Sequence, residues 1–266
     1  MNSIKSRLHI SDTGSLDKIK NLIMDGYHNV ETQFFAMPEN LIENLDGNIE
    51  KFRKKKEELK IKKLIMHGPL FDLSLTSRDS EIANISSRRY EQALYAARSL
   101  NIEKIVFHTQ YNTQLRLPAY IKSWLNGTAE FFSKVLEKAG NEKITIFIEN
   151  MFDEDPDLIG KLMETVSSPR IGVCLDVGHV NVYSVYPPSY WIKKLSPYLK
   201  YFHLSDNSGK VDKHLPLGRG TLDFCEIFKT IEEERIYPEF CIEMYSEKDH
   251  WESIEYLNSL DYIDLS

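Results

Sequence analysis

"GVCLDVGHVNVYS", residues 172–184, opens on an apolar run and then sets Asp176 and His179 three positions apart. The run reads as a buried strand. A carboxylate and an imidazole at the end of such a strand are costly without partners, so a site or a hydrogen-bond network must receive them. What surrounds that strand end decides fold and chemistry together.

Similar runs occur at "RLHI" (7–10), "NVETQFF" (29–35), "KKLIMH" (62–67), "EKIVFH" (103–108), "KITIFIE" (143–149), "LKYFHLS" (199–205) and "EFCIEM" (239–244). With "IGVCLD" (171–176) they make eight candidate strands. Amphipathic stretches lie between them: in "YEQALYAARSL" (90–100), Tyr90, Ala93, Leu94 and Ala97 follow the i, i+3, i+4, i+7 rule. The closing "DHWESIEYLNSL" (249–260) repeats the pattern with Trp251, Ile254 and Leu257. Strict alternation predicts a parallel sheet, and eight units in 266 residues fit an α/β fold of one domain over 1–266, a closed (β/α)8 barrel, better than an open sheet.

A hydrophobic content of 42% supports a sizeable core. No stretch reaches the ~20 apolar residues of a membrane span, and the opening "MNSIKSRLHISD" lacks the apolar segment of a secretory signal. A cytoplasmic protein with no membrane partner is expected. A net charge of -7 argues against a general nucleic-acid surface. Cys174, Cys225 and Cys241 are odd in number and form no CxxC pair, so they read as small core residues or inert thiols.

In a parallel barrel the chemistry gathers at the carboxyl ends of the strands, where the following loops ring one mouth. Strand 3 ends in His67, strand 4 in His108, strand 5 in Glu149, strand 6 in Asp176, strand 7 in His203 and strand 8 in Glu243. His179 follows strand 6, and Asp212 and His214 lie in the seventh loop. Any one of these is commonly satisfied by a carbonyl, a water or a helix end. Five of the eight histidines at one rim are a different matter. His9 reads equally as core or mouth, and His28 and His250 as surface or capping residues. Converging carboxylates and imidazoles repel and desolvate one another unless a divalent cation balances them. Oxygen and nitrogen ligands without thiolate suit Zn, Mn, Fe or Co, in one to three ions.

These residues, with "IEN" (148–150), "CLDVGH" (174–179), "HLSDN" (203–207), "DKHLPLGRGTLDF" (212–224) and "IEM" (242–244), resemble the xylose isomerase-like barrel superfamily over nearly the whole chain. That superfamily includes sugar-phosphate isomerases and epimerases, tagatose-type epimerases and endonuclease IV repair enzymes. Resemblance to the epimerases implies one metal held by Glu149, Asp176, His203 and Glu243, with the two glutamates as acid and base and His179 at the substrate. Resemblance to the endonucleases implies three zinc ions on nine ligands: the same four with His67, His108, His179, Asp212 and His214. Two departures favour the sugar reading. The acidic "MFDEDPD" (151–157) replaces a glycine-rich loop and would repel a DNA backbone, and "GPLFDLSLTSRD" (68–79) looks like uncharacterised sugar isomerase members. The expected activity is therefore a metal-dependent sugar or sugar-phosphate isomerase or epimerase acting on a small carbohydrate. The alternative is a phosphodiester hydrolase at abasic sites in DNA, and a non-catalytic metal-stabilised barrel stands third.

Three features invite other readings. The basic "KFRKKKEELKIKK" (51–63) ends helix 2 and enters strand 3, on the face opposite the mouth, so it reads as a solvated helix face. "VYSVYPPSYW" (182–191) is either a lid or a packed loop entering the next helix. Gly218 and Gly220 in "LGRG" either admit a phosphate beside Arg219 and Lys210, the candidate substrate contacts, or only turn the chain so that His214 returns to the rim. The latter is the expectation. A homo-oligomer is compatible with all of this.

Overall fold

The computed structural model describes residues 5–139 and 143–260; the outer residues of the expected 1–266 domain lie outside these. Eight strands form: β1 (Leu8–Ser11), β2 (Asn29–Thr32), β3 (Lys63–His67), β4 (Lys104–His108), β5 (Thr145–Glu149), β6 (Ile171–Asp176), β7 (Leu199–Leu204) and β8 (Glu239–Ile242). Each pairs in parallel with the next, and β8 returns to β1, so the expected (β/α)8 barrel closes.

Residue parity along the strands explains the polar strand ends. Side chains alternate across a strand. Met66, Ile105, Phe107, Ile146, Ile148, Leu175, Phe202 and Ile242 pack outward into the core shared with the helices. The intervening Ile65, Val106, Phe147, Cys174, Tyr201 and Cys241 form a separate apolar layer that plugs the barrel. Two positions beyond each of those six stand His67, His108, Glu149, Asp176, His203 and Glu243. An interior plug therefore dictates that the next inward residue of each strand faces the mouth.

One irregularity keeps β7 in phase. The register runs Val173↔Leu199 and then Cys174↔Tyr201, skipping Lys200. With Lys200 as an extra, exposed residue, Leu199 faces the helices while Tyr201 and His203 face inward.

The helices follow the expected patterns. In Ser80–Ser99, Tyr90, Ala93, Leu94 and Ala97 are buried, and the Asp79 side chain caps the first turn by accepting from Glu81 N at 2.9 Å. In Glu247–Ser259, Ile254 and Leu257 are buried. His250 is buried there as well, its ring against Ser246 O at 3.0 Å, so it is not a surface residue. Cys174 and Cys241 are core thiols, but Cys225 is exposed. The basic run behaves as a helix face: Lys55 pairs with Asp17 at 2.7 Å, while Arg53 and Lys56 donate to Ser99 O and Leu100 O at 2.8 and 3.1 Å. The 182–191 stretch leads into the helix Pro188–Leu195, with Pro188 in its first turn; Trp191 is buried with its indole N–H on Ser184 Oγ at 2.8 Å, while Val185 and Tyr186 are exposed. Among the described residues no helix is long and apolar enough to cross a membrane.

Gly68, directly after His67, admits no side chain, because a Cβ there would lie 2.1 Å from the Phe107 ring. Gly68→Ala is expected to lower the unfolding free energy by about 1–3 kcal/mol, read as a lower denaturant midpoint at unchanged slope.

Candidate metal centre

All nine expected ligands converge at the mouth, around Glu149. Its Oε2 lies 3.2 Å from His67 Nε2 and 3.2 Å from His108 Nε2. Its Oε1 lies 3.1 Å from His203 Nδ1 and 3.5 Å from His179 Nδ1. His203 Nδ1 is also 3.2 Å from Glu243 Oε2 and 3.9 Å from Asp176 Oδ2. Asp212 Oδ2 stands between His179 Nε2 at 3.3 Å and His214 Nε2 at 3.1 Å. Three groups result: His67, His108 and Glu149; Glu149, Asp176, His203 and Glu243; His179, Asp212 and His214. Within each, one ligand atom per residue lies within 4.8 Å of the others. Cys174 falls within the same distance of Glu149 and His203, but burial pushes its thiol well above the ordinary range, which leaves it a core residue.

Local structure aims these groups. Asp176 is the N-cap of the helix Val177–Tyr183, and its Oδ1 accepts from His179 N at 2.7 Å. That explains the spacing in the opening stretch: the cap uses one carboxylate oxygen and fixes His179 one turn away. Asp176 Oδ2 is left buried and without a hydrogen-bond partner. Asn150 clamps the same residue, accepting from Asp176 N at 2.9 Å and donating to Asp176 O at 3.0 Å.

The seventh loop is organised by Asp206, fully buried, which accepts from the backbone N–H of Asn207, Gly218, Gly220 and Leu222 at 2.8–3.2 Å. Gly220 is required, since a Cβ would lie 2.2 Å from Asn207 O. The loop returns His214 to the rim with φ 47°, a left-handed backbone that a non-glycine residue keeps only where its surroundings hold it.

Ring orientation supplies the test of fit to cations. A carbonyl only accepts, so the Nδ1–H of His67, His179 and His214 donate to Gly68 O, Asn150 O and Glu243 O at 2.9, 2.8 and 3.0 Å. Each ring thereby presents Nε2 to its group. His203 is reversed: Nε2 meets Glu31 Oε2 at 3.0 Å, so Nδ1 faces the carboxylates. Such outer partners select the ligating nitrogen. Asp212 Oδ1, like Asp176 Oδ2, is buried without a partner. Oriented imidazoles, partnerless carboxylate oxygens and three compact groups fit divalent cations.

Glu31 and Gln33 went unread in the sequence. Gln33 donates to Glu243 Oε1 and is itself fixed by its backbone N–H on Asp12 Oδ1 at 2.8 Å. The signal was parity, since Glu31 and Gln33 share the inward face of "NVETQFF". His9 is core: its ring meets Tyr201 edge-on at 5.8 Å. Lys210 and Arg219 do not join the cluster; both are exposed, and Arg219 pairs with Glu252. The "MFDEDPD" loop is less acidic toward the mouth than its letters imply. Asp153 is buried, accepting from Thr109 Oγ1 and Met151 N at 2.9 Å each, and burial lifts its carboxyl to about 6 against those hydrogen bonds. Glu154 pairs with Arg116, and Asp155 accepts from Asp157 N at 2.9 Å.

Electrostatically the metal-free mouth is an imidazolium–carboxylate network. Burial opposes charge on His67, but the hydrogen bond and charge of Glu149 outweigh it and lift His67 to about 9. Burial likewise opposes charge on His179 and His214, yet Asp176, Asp212 and the neighbouring glutamates raise them to about 10 and about 9. Burial would raise Glu243, but His203 holds it down at about 2. His108 is lowered, chiefly by burial.

A sequence profile described as xylose isomerase-like TIM barrel matches residues 19–260. Among curated relatives, the uncharacterised protein MJ1311 of Methanocaldococcus jannaschii is 25% identical over 179 residues, spanning 64% of this chain and only 60% of that protein. A probable endonuclease 4 of Sulfurihydrogenibium sp. strain YO3AOP1 is 27% identical over 244 residues, 80% of this chain and 82% of that one. Among solved structures, a D-tagatose 3-epimerase-like protein superposes with TM-score 0.78 at 21% identity, covering 96% of each chain. The TTHB071 protein of Thermus thermophilus, soaked with zinc chloride, gives 0.79 at 22% identity, covering 96% of this chain and 98% of that one.

Two outcomes are expected. Cation ligation needs neutral imidazole, so zinc added to metal-free protein at pH 7 displaces protons from His67, His179 and His214, seen as calorimetric heat that varies with buffer ionisation enthalpy. The sign follows from the raised values: the network stabilises the metal-free fold below pH ~6.5 and is lost as pH climbs through about 9, over which interval zinc affinity rises. Asp206→Ala removes the anchor of the seventh loop at a cost of about 2–4 kcal/mol and is expected to lower the bound-metal count by one while the circular dichroism spectrum is retained.

Proposed function

The chain belongs to the xylose isomerase-like TIM barrel family, and from that premise we propose that it hydrolyses phosphate esters at a three-cation centre, with the phosphodiester beside an abasic site in DNA as the substrate to test. The observation that carries this reading is the position of Glu149. Both its oxygens are engaged, one toward His67 and His108 and the other toward His203, and its exposure is 1%. A carboxylate so placed would be available to hold cations in both groups, which would leave it less free to act as a base at a substrate carbon. A third compact group, His179, Asp212 and His214, stands beside them, where a one-metal epimerisation would call only on His179, at the substrate.

When bound, the cations would supply Lewis-acid charge at the reacting ester and a more acidic water. The chain's own residues do the rest. Glu149 holds the first two groups in fixed relation; Asp176, tied to the helix it caps and to Asn150, and Glu243, tied to Gln33, keep their oxygens in place. Preorganisation of this kind counts because charge must be met without rearrangement at the moment of reaction. Neither of the two expected substrate-contacting cations takes part: Lys210 is exposed and Arg219 is engaged by Glu252. Of the acidic "MFDEDPD" loop, Asp153 is buried away from solvent and Glu154 is paired with Arg116, which reduces the charge the loop presents to a phosphate backbone.

A second reading has its own support. Glu149, Asp176, His203 and Glu243 form a complete four-ligand group without the others, as one-metal epimerisation needs, and an epimerase-like protein shares the fold. There Glu149 and Glu243 would act as acid and base on either side of a carbonyl.

Zinc-loaded protein is expected to hold three ions per chain by elemental analysis and to nick a duplex at an abasic site. Glu149→Gln is expected to lower that rate by at least about a hundredfold and reduce zinc content. Metal-loaded protein that leaves the duplex intact yet carries solvent deuterium into a ketose would replace this reading with the second.

A further inference from the structure

A cavity of about 1040 Å³ opens beside the metal centre, between the loops that follow β3, β4 and β5. It adjoins the centre at two points. His108 lines it and also faces Glu149; Tyr183 lines it, with its ring centroid 6.3 Å from that of His179. We propose that this cavity is a nucleoside-binding subsite, taking the base and sugar next to the phosphate presented to the cations. This rests on the phosphate-ester reading above and names the class of substrate.

The lining argues for an aromatic base on a phosphorylated sugar. Phe152 is 44% exposed and is braced edge-on by Tyr183, with ring centroids 4.9 Å apart and planes at 87°. It presents an apolar face that is already fixed in angle, which is what a stacking base requires. Tyr111 and Tyr120, stacked at 5.6 Å and 19°, add further aromatic surface to the lining. Arg78 is the lining cation without an ion pair among the described residues, and the one lining carboxylate, Glu154, is held by Arg116. The cavity therefore favours an anionic ligand. Size narrows it further. Ligand sites of about 300–1,000 Å³ suit molecules of drug size, and a bare sugar phosphate would leave most of this volume as water, whereas a nucleotide with a neighbouring unit fills it.

Calorimetry on full-length, zinc-loaded protein tests the subsite with two probes, adenosine 5′-monophosphate and ribose 5-phosphate, which share the phosphorylated sugar and differ in the base. The nucleotide is expected to bind at least tenfold more tightly. Phe152→Ala is expected to remove about five- to a hundredfold of nucleotide affinity and leave ribose 5-phosphate unchanged, while Phe152→Trp keeps the preference. Equal affinity for the two probes, or a preference untouched by Phe152→Ala, overturns the subsite. Should the alanine variant fail to fold, the wild-type comparison and Phe152→Leu decide the matter in the same way. The outcomes separate from those of the reaction itself: abasic-site nicking without base preference removes the subsite and leaves the hydrolase, and base preference without nicking does the reverse.

Discussion

The mouth of this barrel is organised by one buried carboxylate facing imidazoles on several strands. Glu149 lies on β5, and within 3.5 Å of its two oxygens are ring nitrogens from β3, β4, β7 and the helix after β6. An isolated carboxylate at 1% exposure would be expensive. The surrounding rings remove that cost when protonated, and cations remove it when the rings are neutral. The groups that hold the proton network are the same ones that fit divalent cations.

That economy rests on the strand parity below it. The inward layer of Ile65, Val106, Phe147, Cys174, Tyr201 and Cys241 is apolar and fills the bore. Because each of these fixes the facing of the residue two positions on, six polar groups from six strands arrive at the mouth together without help from the loops. Among the described strands the skip at Lys200 is the one register shift, and it brings His203 into the same layer. The loops then add His179, Asp212 and His214, and these need dedicated anchors: Asp176 for the first, Asp206 and the turn through Gly218 and Gly220 for the others.

The barrel and six of the converging residues were legible from periodicity, since alternating apolar runs mark the strands and polar residues at their ends mark the mouth; His179, Asp212 and His214 were legible from their loops and from the family resemblance. Glu31 and Gln33 were marked by parity alone, since "NVETQFF" continues apolar beyond its polar residues and no polar strand end singles them out. Asp206 looked like one more polar residue of "HLSDN", because its four backbone partners are spread over residues 207–222. The charges of the "MFDEDPD" loop are plain in the sequence, but the burial of Asp153, the pairing of Glu154 with Arg116 and the Asp155 turn are tertiary facts. Composition counts charges, and folding decides which of them solvent or substrate can feel.

Two chemistries can share such a ligand set, and what separates them is how Glu149 is held. With one cation in the four-ligand group, a glutamate that kept one oxygen free could reach a substrate carbon. Here the oxygen that would be free is turned to His67 and His108, both themselves inward-facing strand ends. His67 is fixed in that sense by its Nδ1–H on Gly68 O, and Gly68 cannot move away because its backbone N–H is bonded to Val106 O at 2.8 Å and the Phe107 ring fills the space beside it. The constraint on Glu149 therefore originates in strand pairing between β3 and β4 rather than in a flexible loop. A barrel that builds this rigidity into its sheet fixes the direction of both Glu149 oxygens through its strands, and turning either of them elsewhere would require changing the strands themselves.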